Sequence, residues 1–181
     1  MRIVAGSRKG HKIASPKGVG TRPTGDRVRE AAFSLIGPVD EATVLDVFAG
    51  SGAMGLEALS RGASRAVFVE RDRDACRVIQ QNLAKLRLTG AVVLCQDAVS
   101  ALRQERARGH RYDLILVDAP YEEWDRFAAP LAELLPALLD EHGLVVVETT
   151  ARVEVELPLA LQTSRRYGSA RITVFSHHEN L

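Results

Sequence analysis

Only two cysteines occur, Cys76 and Cys95, at a spacing that suits neither a zinc site nor a disulfide framework. Both lie in apolar-periodic segments, so buried, reduced thiols are expected. No apolar run approaches the ~20 residues that a membrane helix requires, which leaves no spanning segment. The N-terminus lacks the apolar stretch of a secretory leader, because Arg8, Lys9, His11 and Lys12 follow at once. Internal repeats and low-complexity tracts are missing too. A cytoplasmic chain without a metal site is the expectation. With 181 residues, 46% of them hydrophobic and 26% charged, the chain is ordinary for one globular domain.

Net charge is nearly lacking as well, at +1, but it is unevenly spread. Residues 1–30 hold Arg2, Arg8, Lys9, Lys12, Lys17, Arg22, Arg27 and Arg29 against Asp26 and Glu30. The remaining 16 basic and 21 acidic residues leave that part at −5. A basic arm on an acidic body points to a polyanionic partner held through its phosphates. A merely solvated leader is the alternative.

What is present centres on Val44-Leu-Asp-Val-Phe-Ala-Gly-Ser-Gly-Ala-Met-Gly55. An apolar run breaks into a glycine-rich turn, and Leu56-Glu-Ala-Leu59 follows with good helix propensity. Glycines let backbone N–H groups at a helix start come close to a ligand. Gly50-x-Gly52-x-x-Gly55 matches the dinucleotide fingerprint by spacing, a weak signal alone.

Upstream, Met1 to Gly6 and Gly10 to Ile13 read as a hairpin with cations at its tip. Positions 28, 31, 32, 35 and 36 share one face of a helix over 26–36, capped by Thr24 or Asp26 and ended by Gly37-Pro38. This helix is expected to carry the arm, which orders on its partner. Downstream, strands at 65–70, 91–95, 112–117 and 144–148 alternate with helices at 73–86, 99–107 and 123–139, the last irregular near Pro130 and Pro136. Such alternation specifies a parallel sheet with helices on both faces. The tail offers apolar-alternating pieces at 153–157, 161–167 and 171–175. Gly168-Ser169 between the last two reads as a tight turn, so an antiparallel hairpin closes the sheet. A basic arm over 1–20 and a main domain over 21–181 are the expected division.

Ligands in such sheets sit outside the carboxyl ends of the strands. Acids fall there: Asp46, Glu70, Asp97 and Asp118. Glu70 suits a ribose diol and Asp97 an adenine amine, although Asp97 also suits a helix cap. A dinucleotide or S-adenosylmethionine would fit. Asp118-Ala119-Pro120-Tyr121 favours the second, placing a carboxylate, carbonyls and an aromatic ring at the lip of the cleft. Hydride transfer has no use for that set, whereas methylation of an exocyclic amine does. Acceptors on the amine hydrogens favour a more tetrahedral nitrogen aimed at the methyl donor. Tyr121 can stack on an unpaired or flipped base. A DNA adenine-N6 methyltransferase, a nicotinamide-dependent oxidoreductase and a non-catalytic RNA-binding module remain alternatives.

With these residues assembled, the sequence resembles the RsmD-type small-subunit rRNA guanine-N2 methyltransferases over nearly its whole length. The resemblance rests on Arg2-Ile-Val-Ala-Gly6 with Gly10, Arg22-Pro-Thr-x-Asp26-Arg-Val-Arg-Glu30, Asp46-Val-Phe-Ala-Gly-Ser-Gly52, Glu70, and the tetrapeptide 118–121. It implies a class I S-adenosylmethionine-dependent methyltransferase fold: a Rossmann-like, mostly parallel seven-stranded sheet with a C-terminal antiparallel hairpin and an N-terminal hairpin extension. It also implies methylation of the N2 amine of guanine 966 in 16S rRNA, within the 30S subunit or a late assembly intermediate, by a monomer. Cofactor roles are implied for Asp46, Phe48, Gly50, Gly52, Glu70, Arg71, Asp97 and Ala98. Catalytic roles are implied for Asp118, Ala119, Pro120 and Tyr121. RNA contacts are assigned to Arg2, Arg8, Lys9, Lys12, Arg22, Arg27 and Arg29. Ala119 replaces the first proline of the family's Asp-Pro-Pro-Tyr/Phe motif, which restores a backbone N–H.

Overall fold

Runs of β-branched and leucine residues alternate with amphipathic stretches, and each run becomes a strand followed by a returning helix. The computed structural model describes residues 1–18 and 25–178. In order these are α1 (Asp26–Ile36), β1 (Thr43–Val47), α2 (Ala53–Ser60), β2 (Arg65–Glu70) and α3 (Arg73–Leu86). Then come β3 (Ala91–Cys95), α4 (Ala98–Ala107), β4 (Tyr112–Val117), α5 (Trp124–Leu138), β5 (Leu139–Thr150), β6 (Ala160–Tyr167) and β7 (Ala170–Ser176). One seven-stranded sheet runs in the order β3-β2-β1-β4-β5-β7-β6. The first five strands are parallel, and β7 inserts antiparallel between β5 and β6. This is the class I, Rossmann-like arrangement.

Residue parity assigns each strand residue to one of two cores. Leu45, Val69, Ile115, Val117 and Val147 pack with α4 and α5. Val44, Phe68, Leu116, Val146 and Ile172 pack on the other face with α1, α2 and α3. Asp46 lies between the second set's Val44 and the glycine turn, and so faces α1 and α2.

Several elements depart from the expected bounds. α1 is capped by Gly25 without a side-chain bond. Asp26 instead pairs with Arg29 at 2.8 Å, and Thr24 lies outside the described residues. Residues 153–157 form no strand, while β5 extends back to Leu139, where it pairs with Tyr112. α5 passes through Pro130 and Pro136 as one helix, preceded by a 3-10 turn at Tyr121–Glu123. Near the C-terminus, His177 meets the Leu139 carbonyl at 3.0 Å.

The largest difference concerns the basic arm, which is docked. Arg2 and Lys12 bridge antiparallel, and Ile3 and Ile13 enter the same apolar cluster as α1 and α2. Glu57, fully buried on α2, organises the contact. Its carboxylate accepts from the backbone of Val4 and Ala5, both at 2.9 Å, and pairs with Arg29 at 3.3 Å and Arg61 at 2.9 Å. Arg8 donates to the carbonyls of Leu86 and Arg87 at the end of α3. Asn82 and Ala14 exchange two bonds of 2.9 and 3.0 Å. The arm is therefore carried mainly by α2 and α3, with α1 contributing Arg29.

Removing one member of a buried ionic set leaves the others desolvated and unpaired, a loss of about 3–5 kcal/mol. Glu57→Ala is expected to lower stability on that scale in urea denaturation. Amide exchange at Val4 and Ala5 should speed up in the same variant; unchanged exchange would exclude the anchoring role.

Candidate active site

The strand order reverses between β1 and β4, so the ligand crevice opens where these two strands end. The chain turns sharply there. Phe48 adopts φ 61°, rare for a non-glycine residue, and Gly50 and Gly52 have φ 57° and 81°. Two acids pin the turn. Glu70, from the end of β2, accepts the Gly50 N–H at 2.8 Å and the Asp72 N–H at 2.9 Å. Asp46 accepts the Gly55 N–H at 2.9 Å in the first turn of α2. A side chain at Gly55 is impossible without rearrangement, since a Cβ would come within 2.4 Å of the Phe68 ring. At Gly50 nothing lies within 4 Å, which leaves the outer side of the turn open.

The other residues assigned to a cofactor stand around this turn. Phe48 packs edge-on against Phe127 at 4.8 Å between centroids. Asp97 caps α4 by accepting the Ser100 N–H at 3.1 Å, and Ala98 is the buried first residue of that helix. Arg71 reaches across to Glu123, at 3.2 Å, ahead of α5. The second Glu123 oxygen is buried and accepts no hydrogen bond among the described residues.

On the α1 side of the sheet a cavity of about 20 Å³ is lined by Asp46, Asp118 and Glu148 together with Ala32, Met54 and Ile172. Val117 and Val147 are register partners, so Asp118 and Glu148 follow side by side on β4 and β5. Asp118 is half-buried, Ala119 is buried, and Tyr121 is 40% exposed at the start of the 3-10 turn. Pro120 is extended, at φ −52° and ψ 128°. Sequence reasoning misses Glu148. The position reads only as the end of a strand, although an acid ending a buried run is the same signal that marks Glu70 and Asp118.

The basic residues divide. Arg2, Lys9, Lys12 and Arg27 are exposed. Arg8 is half-buried against the end of α3, and Arg22 lies outside the described residues. Arg29 is a correction: at 0% exposure, and paired with Glu57 and Asp26, it cannot reach a nucleic acid. The arm's tip also points away from the crevice. Helices that follow parallel strands run back toward the strands' amino ends, and the tip rests on Ser60, Leu86 and Arg87 at those helix ends.

The cysteines divide as well: Cys76 is buried and Cys95 is exposed, contrary to expectation. Cys95 sits in register with Glu70 on the outermost parallel strand, with no further strand beyond it among the described residues. Burial, with Cys95 beside it, pushes the Cys76 thiol up to about 12. Iodoacetamide near pH 8 is expected to label Cys95 and spare Cys76, as read by peptide mass spectrometry; equal labelling would contradict this burial.

Burial also lifts the Asp46 carboxyl to about 8; the Gly55 N–H opposes this and the Glu70 charge adds to it. Folded Asp46 thus keeps its proton where the unfolded carboxyl, with a value near 4, has lost it. Its contribution to stability falls as pH rises between about 4 and 8. Asp46→Asn removes this dependence. Urea midpoints should show wild type losing ground to the variant between pH 5 and pH 8, and a constant difference would refute the assignment.

Comparison with known proteins agrees with this geometry. The family model described as Conserved hypothetical protein 95 matches residues 1–176. Ribosomal RNA small subunit methyltransferase D of Escherichia coli K12 is 40% identical over 164 residues, 90% of this chain and 78% of that protein. The protein of the same name from Haemophilus influenzae is 34% identical over 170 residues, 92% of this chain and 84% of its own length. A solved structure of a hypothetical protein from Thermus thermophilus superposes with a TM-score of 0.84 at 34% identity, over 97% of this chain and 99% of that one. Family match, identity and fold coincide over nearly the whole length, and the chain belongs to the RsmD-type family of rRNA methyltransferases.

Proposed function

We propose that the protein methylates the exocyclic N2 amine of a guanine in 16S rRNA, guanine 966 by family resemblance, within the small subunit or a late assembly intermediate. The observation that carries this reading is the pair Asp118 and Glu148, side by side on one cavity next to the glycine turn. Guanine presents two neighbouring donors on its Watson–Crick edge, the N1–H and the N2 amine, and two carboxylates accept from both. Adenine presents an acceptor at N1, which a second carboxylate would repel. The pair therefore favours guanine over adenine-N6 chemistry.

S-adenosylmethionine, when bound, supplies an electrophilic methyl group. The residues of the crevice fit it: open space at Gly50, and the carboxylates of Glu70 and Asp97 at the ends of β2 and β3. Each carboxylate has about four acceptor sites, so Glu70 can hold its two backbone donors and still take ribose hydroxyls. Asp46 holds the turn in shape from beneath. Asp118 and the Ala119 carbonyl accept from the amine hydrogens, draw its lone pair out of conjugation and aim it. Asp118 also stands where the proton shed by the methylated nitrogen can go. Pro120 keeps the strand end extended, compensating for the alanine at 119. Tyr121 offers a stacking face at the lip.

Arg27, in the first turn of α1, would contact phosphates near the crevice. Arg2, whose backbone N–H lies 3.5 Å from Asp26 in that same turn, would contact phosphates beside it, and Lys9 and Lys12 would contact phosphates along the α2–α3 layer. Asp118→Ala is expected to lower methyl transfer to small subunits at least ~100-fold, with S-adenosylmethionine affinity by calorimetry within about a factor of three. Mass spectrometry of the product should place the label on a guanine of 16S rRNA. Binding of NAD alone, or label appearing only in DNA, would overturn the reading.

A further inference from the structure

The C-terminal hairpin turns at the same end of the sheet as the crevice, because Thr150 at the end of β5 pairs with Ala170 at the start of β7. Register then defines one row across the sheet. Asp118 neighbours Glu148, Glu148 pairs with Ile172, and Ile172 pairs with Arg165 on β6. Paired residues project from the same face, and Asp118, Glu148 and Ile172 all line the cavity on the α1 side. Arg165 therefore ends that row on the same face. It lies three strands from Asp118, about 14 Å at ordinary strand spacing.

Arg165 is exposed, and no side-chain bond or ion pair engages it among the described residues. Its neighbour Arg166 projects from the opposite face, opposite Arg171. Arg171 is itself buried, bonded to the Ala151 carbonyl and to Ser164, and paired with Glu154. The two adjacent arginines thus carry equal charge and occupy opposite sides of one edge strand. Only one looks along the row that ends at the catalytic carboxylate.

We propose that Arg165 grips the phosphate backbone of the RNA strand beside the target nucleotide, extending the RNA-binding surface from the crevice onto the C-terminal hairpin. The inference rests on the RNA-methylating reading above. A nucleoside swung out so that its amine meets Asp118 leaves its flanking phosphates outside the pocket, along this face. A guanidinium at the end of the row presents a planar fork suited to a phosphate. The tip of the basic N-terminal hairpin, Arg8 and Lys9, cannot serve here, since it lies at the far end of the helices. A charged edge strand also discourages sheet-to-sheet association, a task to which Arg165 and Arg166 would contribute equally.

The test compares wild type, R165Q, R165K and R166Q in methyl transfer to small subunits and to naked 16S rRNA, both lacking the modification, across a salt series. R165Q is expected to raise KM for RNA about tenfold, the worth of one charge-assisted hydrogen bond. Its kcat and S-adenosylmethionine affinity stay at wild-type values. The slope of log KM against log salt should fall by about 1. R165K should recover the slope, and R166Q should match wild type. An R165Q variant with unchanged KM overturns the proposal, as does an equal loss in R166Q, which would reduce the effect to general charge. If wild type methylates no RNA, the proposed function falls and this inference with it; an indifferent R165Q with an active wild type removes the inference alone.

Discussion

Two acidic side chains holding backbone N–H groups make the glycine turn a site. Asp46 takes the Gly55 N–H and Glu70 takes the Gly50 N–H, one acid from each of two adjacent parallel strands. The turn between them contains a non-glycine residue at positive φ and two glycines in left-handed conformations. Such a backbone persists only where its surroundings over-determine it. Register places Asp46 beside Phe68, whose ring fills the space that a side chain at Gly55 would need. The crevice at the strand reversal, the start of α2 and the open side at Gly50 all follow from that clamp.

A second buried carboxylate, Glu57, reorganises the charge of the molecule. The N-terminal excess of positive charge looks like an arm waiting for a partner. In the fold, part of it satisfies the protein itself: Arg29 joins Arg61, at the end of α2, in neutralising Glu57, and Arg8 closes the end of α3. A buried carboxylate is tolerable only when paired and hydrogen-bonded, and here backbone amides of the arm supply two of the bonds. Docking the arm thereby completes the interior of α2. The cations left at the surface lie on two regions, one along the helical layer and one around the crevice.

The acidic face beside the glycine turn emerges from sheet parity. Asp46, Asp118 and Glu148 are far apart in the chain, yet they occupy positions of equal parity on β1, just past the end of β4, and on β5. Parallel register brings Asp118 and Glu148 level, and the inserted antiparallel β7 places Ile172 next in line. A one-residue slip in any of these pairings would turn an acid into the opposite core. The apolar alternation that makes each strand amphipathic in its own way is thus also what aims the acids.

The sequence by itself determined the alternation of strands and helices, the glycine turn, the closing hairpin and most acids at the strand ends. All of these rest on local periodicity, on glycine conformational freedom and on the polarity of strand termini. Only the tertiary structure decided that Arg29 is buried while Arg27 is exposed, that Cys95 lies at the surface, and that the arm is docked. It also revealed Glu148 as a neighbour of Asp118. Each depends on which side chains meet across tens of residues of chain, as with Glu57 and Val4 or Arg8 and Leu86. Local pattern carries no record of such meetings, because a lone charge reads alike whether its partner is water, a buried carboxylate or a helix end.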